Sequence, residues 1–390
     1  MKLPKGFIAS GVRAGIRKKR PDLGLIVAED GATAAAVFTK NKFQAAPVVL
    51  SKAALKKSGG RVKAVVINAG CANAVTGKQG LAAARRVRAR AAELLRCNAE
   101  EVFLASTGVI GVVLPDQKVR EALPEAVLRL SIGGIDALSR AILTTDIGPK
   151  LAQASFNIDG KRGRIVGVAK GAGMIHPNMA TMLSFITTDA ALTPSDLHRE
   201  LKAAVDVSFN AISVDGDTST NDTVLLMASG KLGNDTNAEL DDFRRALTYV
   251  CRQLAWLIVR DGEGATRVME LEVTGARSER DAKLAAHAIA TSPLVKTALH
   301  GGDPNWGRIV AAIGRSGARF SIRKVSLTAG NIALVRDGEP ASYREKDAAR
   351  VFSRERVPLH VDLGGGSART VILSSDLGHD YVSLNADYRS

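Results

Sequence analysis

Aromatic residues are scarce in this chain, with Phe, Trp and Tyr together making up 4% of its 390 residues. That scarcity argues against a protein that holds single-stranded nucleic acid by stacking bases on aromatic platforms. Cysteine is also sparse. The three thiols, Cys71, Cys97 and Cys251, are odd in number and lack C-x-x-C spacing, which predicts reduced thiols in the cytoplasm and no structural zinc site. No apolar run approaches the roughly 18 residues that a membrane span needs. The basic N-terminus lacks the apolar centre of a signal peptide, so a soluble, cytoplasmic protein without membrane contact is expected. A strand, loop and helix between Val62 and Leu95 invites a dinucleotide reading, but the G-x-G-x-x-G fingerprint is missing. Asp215 to Asp222 is dense in oxygen ligands yet lacks the twelfth-position glutamate of a calcium loop, and reads instead as a polar loop at the mouth of a site. Internal repeats and low-complexity tracts are absent as well.

What remains is an ordinary globular balance, 46% hydrophobic and 24% charged, in a chain long enough for two domains. The net charge of +15 is unevenly spread: residues 1–180 hold 29 basic and 12 acidic side chains, and residues 181–390 hold 25 and 27. Clustered Lys and Arg can attract phosphate backbones. With so few aromatics, a solubilising surface that helps to attract anionic substrates is the simpler reading.

The most informative stretch runs from Lys170 to Leu183, Lys-Gly-Ala-Gly-Met-Ile-His-Pro-Asn-Met-Ala-Thr-Met-Leu. It sets a small residue, Ala180, directly before a hydroxyl nucleophile, Thr181, after a glycine-rich approach. If the Thr181 hydroxyl attacks the Ala180 carbonyl, the amide becomes an ester and water opens it. Thr181 is then a new N-terminus, and its α-amine, with a reference pKa of about 7.7 to 8.0, serves as a base for its own hydroxyl. His176 is a tempting base, but Pro177 follows it and the amine already fills that role, so a structural part is expected for it.

This segment resembles the processing site of the ornithine acetyltransferase / glutamate N-acetyltransferase family, the bifunctional proteins of arginine biosynthesis. Further blocks match in order: Gly6-Phe7 with Ala9 and Gly11, Ile67 to Ala74, Ser106 to Gly111 with Leu114-Pro115, Asp303 to Ile309, and Asn385 to Ser390. The resemblance implies an α/β fold of the N-terminal-nucleophile type, a layered sandwich of strands between helices, with a smaller α/β domain behind it. We place the catalytic domain at residues 1–276, cut between Ala180 and Thr181 into chains 1–180 and 181 onward, and the second domain at 277–390.

Site residues follow from the same blocks. Thr181 is the implied nucleophile, and Thr107 and Gly108, in a strand-end turn, are the implied oxyanion hole. Thr144, Lys170, Thr181, Glu263, Asn385 and Ser390 are the implied substrate contacts. Glu263, set between two glycines, supplies a countercharge for an ornithine-like diamine. Two departures stand out. Ile147 replaces a threonine expected in the Thr144 to Lys150 run, and Arg369 to Leu373 replaces a tryptophan-containing strand.

The implied reaction moves acetyl from N2-acetylornithine to Thr181 and then to L-glutamate, with no metal or prosthetic group. Whether acetyl-CoA also serves as a donor is left open. A heterotetramer of two chains of each kind is implied. Two rival readings fit parts of the sequence: an aminopeptidase or amidase using the same nucleophile with water as acceptor, and a basic nucleic-acid-binding protein. Glu263 and the Asn385 to Ser390 tail favour the transferase.

Overall fold

The computed structural model describes residues 1–176 and 182–387. These divide into two compact units: Met1–Asn210 with Asp217–Ile258, and Ala211–Gly216 with 259–387.

The first unit is built on a mixed sheet. Its strands are β1 (Phe7–Val12), β2 (Leu23–Phe38), β3 (Arg61–Cys71), β4 (Val102–Val109), β5 (Lys150–Ile158), β6 (Lys161–Lys170), β7 (Leu183–Thr188) and, after the short β8 (Ile212–Ser213) of the other unit, β9 (Thr223–Ala228). They lie in the order β4-β3-β2-β9-β7-β6-β5, with β1 paired to β2. The central strands are apolar on both faces because both faces are covered. Alternate residues enter different cores. Leu25, Val27, Ala64 and Val66 pack with α1 (Ala46–Lys57), α2 (Gly77–Leu95) and α3 (Asp116–Leu128), whereas Ile26, Val65 and Ile67 pack with Ile135 and Leu138 of α4 (Ile135–Ala141). This is the sandwich of strands between helices that the resemblance implies.

Helices α5 (Pro194–Asp206) and α6 (Asp241–Arg260) complete the described α-helices of this unit. The start of α5 is set by Thr193, whose hydroxyl accepts the Asp196 amide at 3.2 Å, with Pro194 in the first turn. Phe243 of α6 meets Phe156 of β5 edge to face, with ring centroids 5.2 Å apart. Gly163 on β6 leaves the room for Phe156, since a Cβ there would lie 2.2 Å from its ring.

Residues 1–50 read, from their pattern, as short strands broken by turns, and two segments there differ from that reading. Leu23–Ala28 and Ala34–Phe38 read as separate strands, but they form one strand of 16 residues. The polar insertion Glu29-Asp30-Gly31 is absorbed as an irregularity in the β2–β3 ladder, with Gly31 at φ +81° and the two carboxylates exposed. The second change is α1, whose Ala-Pro-Val-Val-Leu start lies in a region that reads as strands and turns. Pro47 in the first turn is the start signal that could have identified it.

The second unit carries a sheet of order β13-β12-β11-β14-β10-β15-β8. Its strands are β10 (Val268–Ala276), β11 (Ser326–Ala329), β12 (Ile332–Arg336), β13 (Glu339–Pro340), β14 (Arg356–Asp362), β15 (Ala368–Ser375) and β8. A core of Leu271, Val273, Leu327, Val357 and Leu359 packs under α7 (Glu279–Ala290), α8 (Pro293–Gly301), α9 (Trp306–Gly314) and α10 (Glu345–Phe352). The final helix is α11 (His379–Asp387). The Arg369 to Leu373 segment is a full member of this sheet, antiparallel to β10 and parallel to β8. Lys296 of α8 is buried and donates to the hydroxyls of Ser374 and Ser375 at 3.2 Å each, and burial brings its ammonium down to about 8.

Phe243→Ala empties a fully buried ring site between α6 and β5. We expect a loss of about 3–5 kcal/mol in unfolding free energy, measured by urea denaturation. A loss below about 1 kcal/mol would mean that the ring pair does not fasten α6 to the sheet.

Candidate functional site

Parallel pairing of β3 and β4 sets Ala69 beside Thr107 and Gly70 beside Gly108 at one end of the sheet. The two glycines have φ of +101° and +130°. A Cβ on Gly108 would lie 2.3 Å from the Gly70 carbonyl carbon, so the close approach of these backbones admits only glycine. Asn221 ties the same strand ends together, donating to the carbonyls of Ala72 and Ser106 at 2.8 Å each. Asn68 adds to this, accepting from Ser106 Oγ at 2.5 Å and donating to the Cys71 carbonyl at 2.8 Å.

Lys170, at the end of β6, enters this region with its side chain 3% exposed. Its Nζ donates to Thr144 Oγ1 at 2.8 Å and to Thr107 Oγ1 at 3.2 Å. The Asp146 carboxylate lies 3.8 Å from that ammonium and 2.7 Å from the Lys150 ammonium. Asp146 also accepts the amides of Gly171 at 2.7 Å and Thr144 at 2.9 Å. Burial alone pushes the Asp146 carboxyl upward, but the charges of Lys170 and Lys150 and the hydrogen bonds outweigh it and hold the group well below the usual carboxylate range.

The chemistry follows from this arrangement. Among the described residues, the buried Lys170 ammonium sits against the buried Thr107 hydroxyl and the half-buried Thr144 hydroxyl. A hydroxyl that accepts a hydrogen bond from an ammonium is polarised and becomes a stronger donor in its turn. Thr107 is therefore equipped to stabilise negative charge developing on an oxygen placed against it.

Of the residues expected at the site, Thr107, Gly108, Thr144 and Lys170 come together in the first unit. Ala180 and Thr181 lie outside the described residues, as does Ser390. In the second unit, Glu263 and Asn385 meet, with Asn385 Nδ2 donating to Glu263 Oε2 at 2.9 Å. Gly264 is needed for the turn that carries Glu263: its φ is +68°, and a Cβ would lie 2.4 Å from the Tyr381 amide. Thr266 fastens that turn to the buried Asp376 by amide and hydroxyl, at 2.8 and 2.6 Å. Burial raises the Asp376 carboxyl, but donors from Thr266, Arg267 and His300 bring it below the usual range.

Sequence reasoning missed Asp146 and Lys150, and took in Asn221 and Asp222 only as part of the polar Asp215 to Asp222 loop. A signal was present in each case: Asp146 and Lys150 flank the noted Ile147, and Asn221-Asp222 are polar residues set directly before the buried β9. Ile147 itself is 84% exposed, and the loop is held by Asp146 and Lys150 on either side of it. Burial holds the His176 imidazole below its ordinary range, with Asp217 opposing. Among the described residues, no cluster of three His, Cys, Asp or Glu side chains is placed to hold a metal, and no helix is long and apolar enough to cross a membrane.

Comparison with known proteins adds an independent line. The model of the ArgJ family matches residues 8–390. The chain is 47% identical to the arginine biosynthesis bifunctional protein ArgJ of Chlorobaculum tepidum, covering 99% of this chain and 96% of that one. It is 48% identical to the protein of the same name from Nitratidesulfovibrio vulgaris, covering 99% of each. Among solved structures, the bifunctional protein of Bacillus halodurans superposes with a TM-score of 0.52 at 42% identity, over 53% of this chain and 100% of that one.

Since the folded-state pKa of Asp146 lies below the unfolded value of about 3.9, its carboxylate contributes stability above that pH, and the contribution is lost as pH falls through the folded value. Asp146→Asn should therefore flatten the acid limb of stability below about pH 4. At pH 7 it should cost about 3–5 kcal/mol, because two buried ammoniums lose their counter-charge. Thermal unfolding of both proteins across pH 2 to 7 checks the expectation, and an unchanged acid limb would contradict it.

Proposed function

We propose, from the premise that this chain belongs to the ArgJ family, a two-stage use of one nucleophile at Thr181. The chain is an acyltransferase of arginine biosynthesis, a glutamate N-acetyltransferase / ornithine acetyltransferase. In the first stage the Thr181 hydroxyl attacks the Ala180 carbonyl, a C–O bond forms, the C–N bond breaks, and the hydroxyl proton passes to the departing nitrogen. Water then hydrolyses the ester, leaving chains 1–180 and 181–390. In the second stage the Thr181 α-amine takes the hydroxyl proton as oxygen attacks the acetyl carbonyl of N2-acetylornithine. Ornithine leaves with a proton, and the amino group of glutamate then takes the acetyl group from the ester.

The observation that carries this reading is the Lys170 ammonium bonded to both Thr107 and Thr144. Three residues assigned to the site by resemblance, spaced 37 and 26 positions apart, meet at one buried cation. Thr107 and the Gly108 amide supply the donors for the tetrahedral oxyanion in both stages. Thr144, Lys170, Glu263 and Asn385 are proposed as substrate contacts by resemblance, Lys170 toward a carboxylate and Glu263 toward an ammonium. Ser390 completes the substrate contacts. Acetyl-CoA is proposed as a further donor for glutamate, two chains of each kind as the assembly, and the cytoplasm as the compartment. Beyond acetyl-CoA as substrate, the chemistry asks for no cofactor.

Denaturing mass spectrometry of the purified protein should find two chains meeting at Ala180 and Thr181. Thr181→Ala should remain one uncut chain; cleavage of that variant at the same bond would place the reaction in an external protease. Losing one oxyanion donor typically costs about 2.7 to 4 kcal/mol. Thr107→Ala should thus slow both maturation and turnover by roughly a hundred- to thousandfold, with a smaller effect on substrate affinity. Normal rates in that variant would remove Thr107 from the oxyanion hole.

An acetyl-enzyme also demands parallel initial-rate lines when acetylornithine and glutamate are varied together, with labelled acetyl retained on the 181–390 chain when glutamate is withheld. Intersecting lines without a labelled chain would point to direct transfer in a ternary complex.

A further inference from the structure

A fully buried carboxyl that the reaction above does not use stands directly before β9. This is Asp222, 0% exposed. Its Oδ1 accepts the Met182 amide at 2.9 Å, and the amide of the next residue, Thr223, donates to the Met182 carbonyl at 3.1 Å. Both polar groups of the Met182 backbone are thereby fixed to the start of β9. Met182 is the residue bonded to Thr181.

The second carboxyl oxygen, Oδ2, is buried without a hydrogen-bond partner among the described residues. The Thr39 hydroxyl lies near the carboxyl but donates to the Ser219 carbonyl at 2.7 Å. A carboxylate with an unsatisfied oxygen at such depth is costly, whereas the neutral acid leaves no bare charge. Burial pushes the Asp222 carboxyl well above its usual range, against the opposing pull of the Met182 amide, the Thr39 hydroxyl, the Lys170 ammonium and the Ser219 backbone.

We propose that Asp222 is a positioning residue for Thr181, holding the Met182 amide as an uncharged carboxylic acid. Neutrality matters for the chemistry at the neighbouring residue. A carboxylate close to the newly formed α-amine would favour its ammonium form and so deprive the hydroxyl of its base. A neutral acid accepts the same amide hydrogen bond without that penalty. The role rests on the self-cleaving nucleophile proposed above and names a residue that makes it competent.

The test follows chain cleavage over time in cell-free expression by denaturing mass spectrometry, and then the pH profile of kcat in the mature enzymes. Asp222→Asn keeps the size, the acceptor oxygen and the neutrality. It should cleave within about threefold of the natural chain, and the acid limb of its kcat profile, which reports the amine, should not move. Asp222→Ala leaves the Met182 amide without its acceptor and should slow cleavage by about tenfold or more while retaining a cooperative thermal transition.

A natural chain that emerges uncut would overturn the nucleophile reading itself. A natural chain that is cut, with Asp222→Ala cut equally fast, would overturn only the role of Asp222. If Asp222→Ala does not fold, Asp222→Asn decides alone. Cleavage with an unmoved acid limb supports the neutral acid, and an uncut chain or a limb shifted to lower pH overturns it, since the latter would show that a negative charge had been removed.

Discussion

A carboxylate fixed between two buried ammonium groups, Asp146 between Lys150 and Lys170, is the interaction on which the site of the first unit depends. Burying any one of these charges alone would be prohibitive, because desolvation of an isolated ion far exceeds what neighbouring dipoles return. Together they are tolerable: Asp146 is close to both cations and accepts two backbone amides as well. The outcome is a lysine whose head group cannot wander. Lys170 thereby donates to the hydroxyls of Thr107 and Thr144 from a fixed position.

The sheet supplies the second constraint. Parallel strands bring Gly70 and Gly108 side by side at their ends, closer than any side chain would permit. Asn221 and Asp222 stand at the start of the buried β9, and each spends its side chain on backbone groups of a neighbouring segment: the carbonyls of Ala72 and Ser106 for one, the amide of Met182 for the other. Loops that carry chemistry are thus held by polar side chains from strand ends, while the strands themselves are held by apolar packing on both faces. In the second unit the same division recurs, with Asp376 fastening the turn that presents Glu263.

Much of this was legible in the residues. Continuous apolar runs mark the buried strands β3, β4 and β9, and Pro194 marks the start of α5. Thr107, Thr144 and Lys170 were named from motif resemblance. The misses have physical causes. The joining of two short runs into β2 depends on the neighbouring β3 ladder tolerating an irregularity at Gly31, which the local pattern does not encode. The importance of Asp146 and Lys150 was hidden because each looks, in isolation, like an exposed charge in a polar loop.

By itself the sequence determined the chemical inventory. It set a threonine hydroxyl after a small residue, a glycine-rich approach, a lysine eleven positions upstream, and the continuous apolar runs that make strands apolar on both faces. These are local properties, since covalent order fixes which residue follows which and periodicity fixes which side of a strand each one takes. Only the tertiary structure decided which charges are buried, and with whom. Lys170 and Thr107 are 63 residues apart yet share a hydrogen bond, and Asp222 reaches across 40 residues to the amide of Met182. Desolvation is the reason: the strength of an ion pair and the protonation of a carboxyl depend on what surrounds them in space, and no reading of neighbours along the chain contains that information.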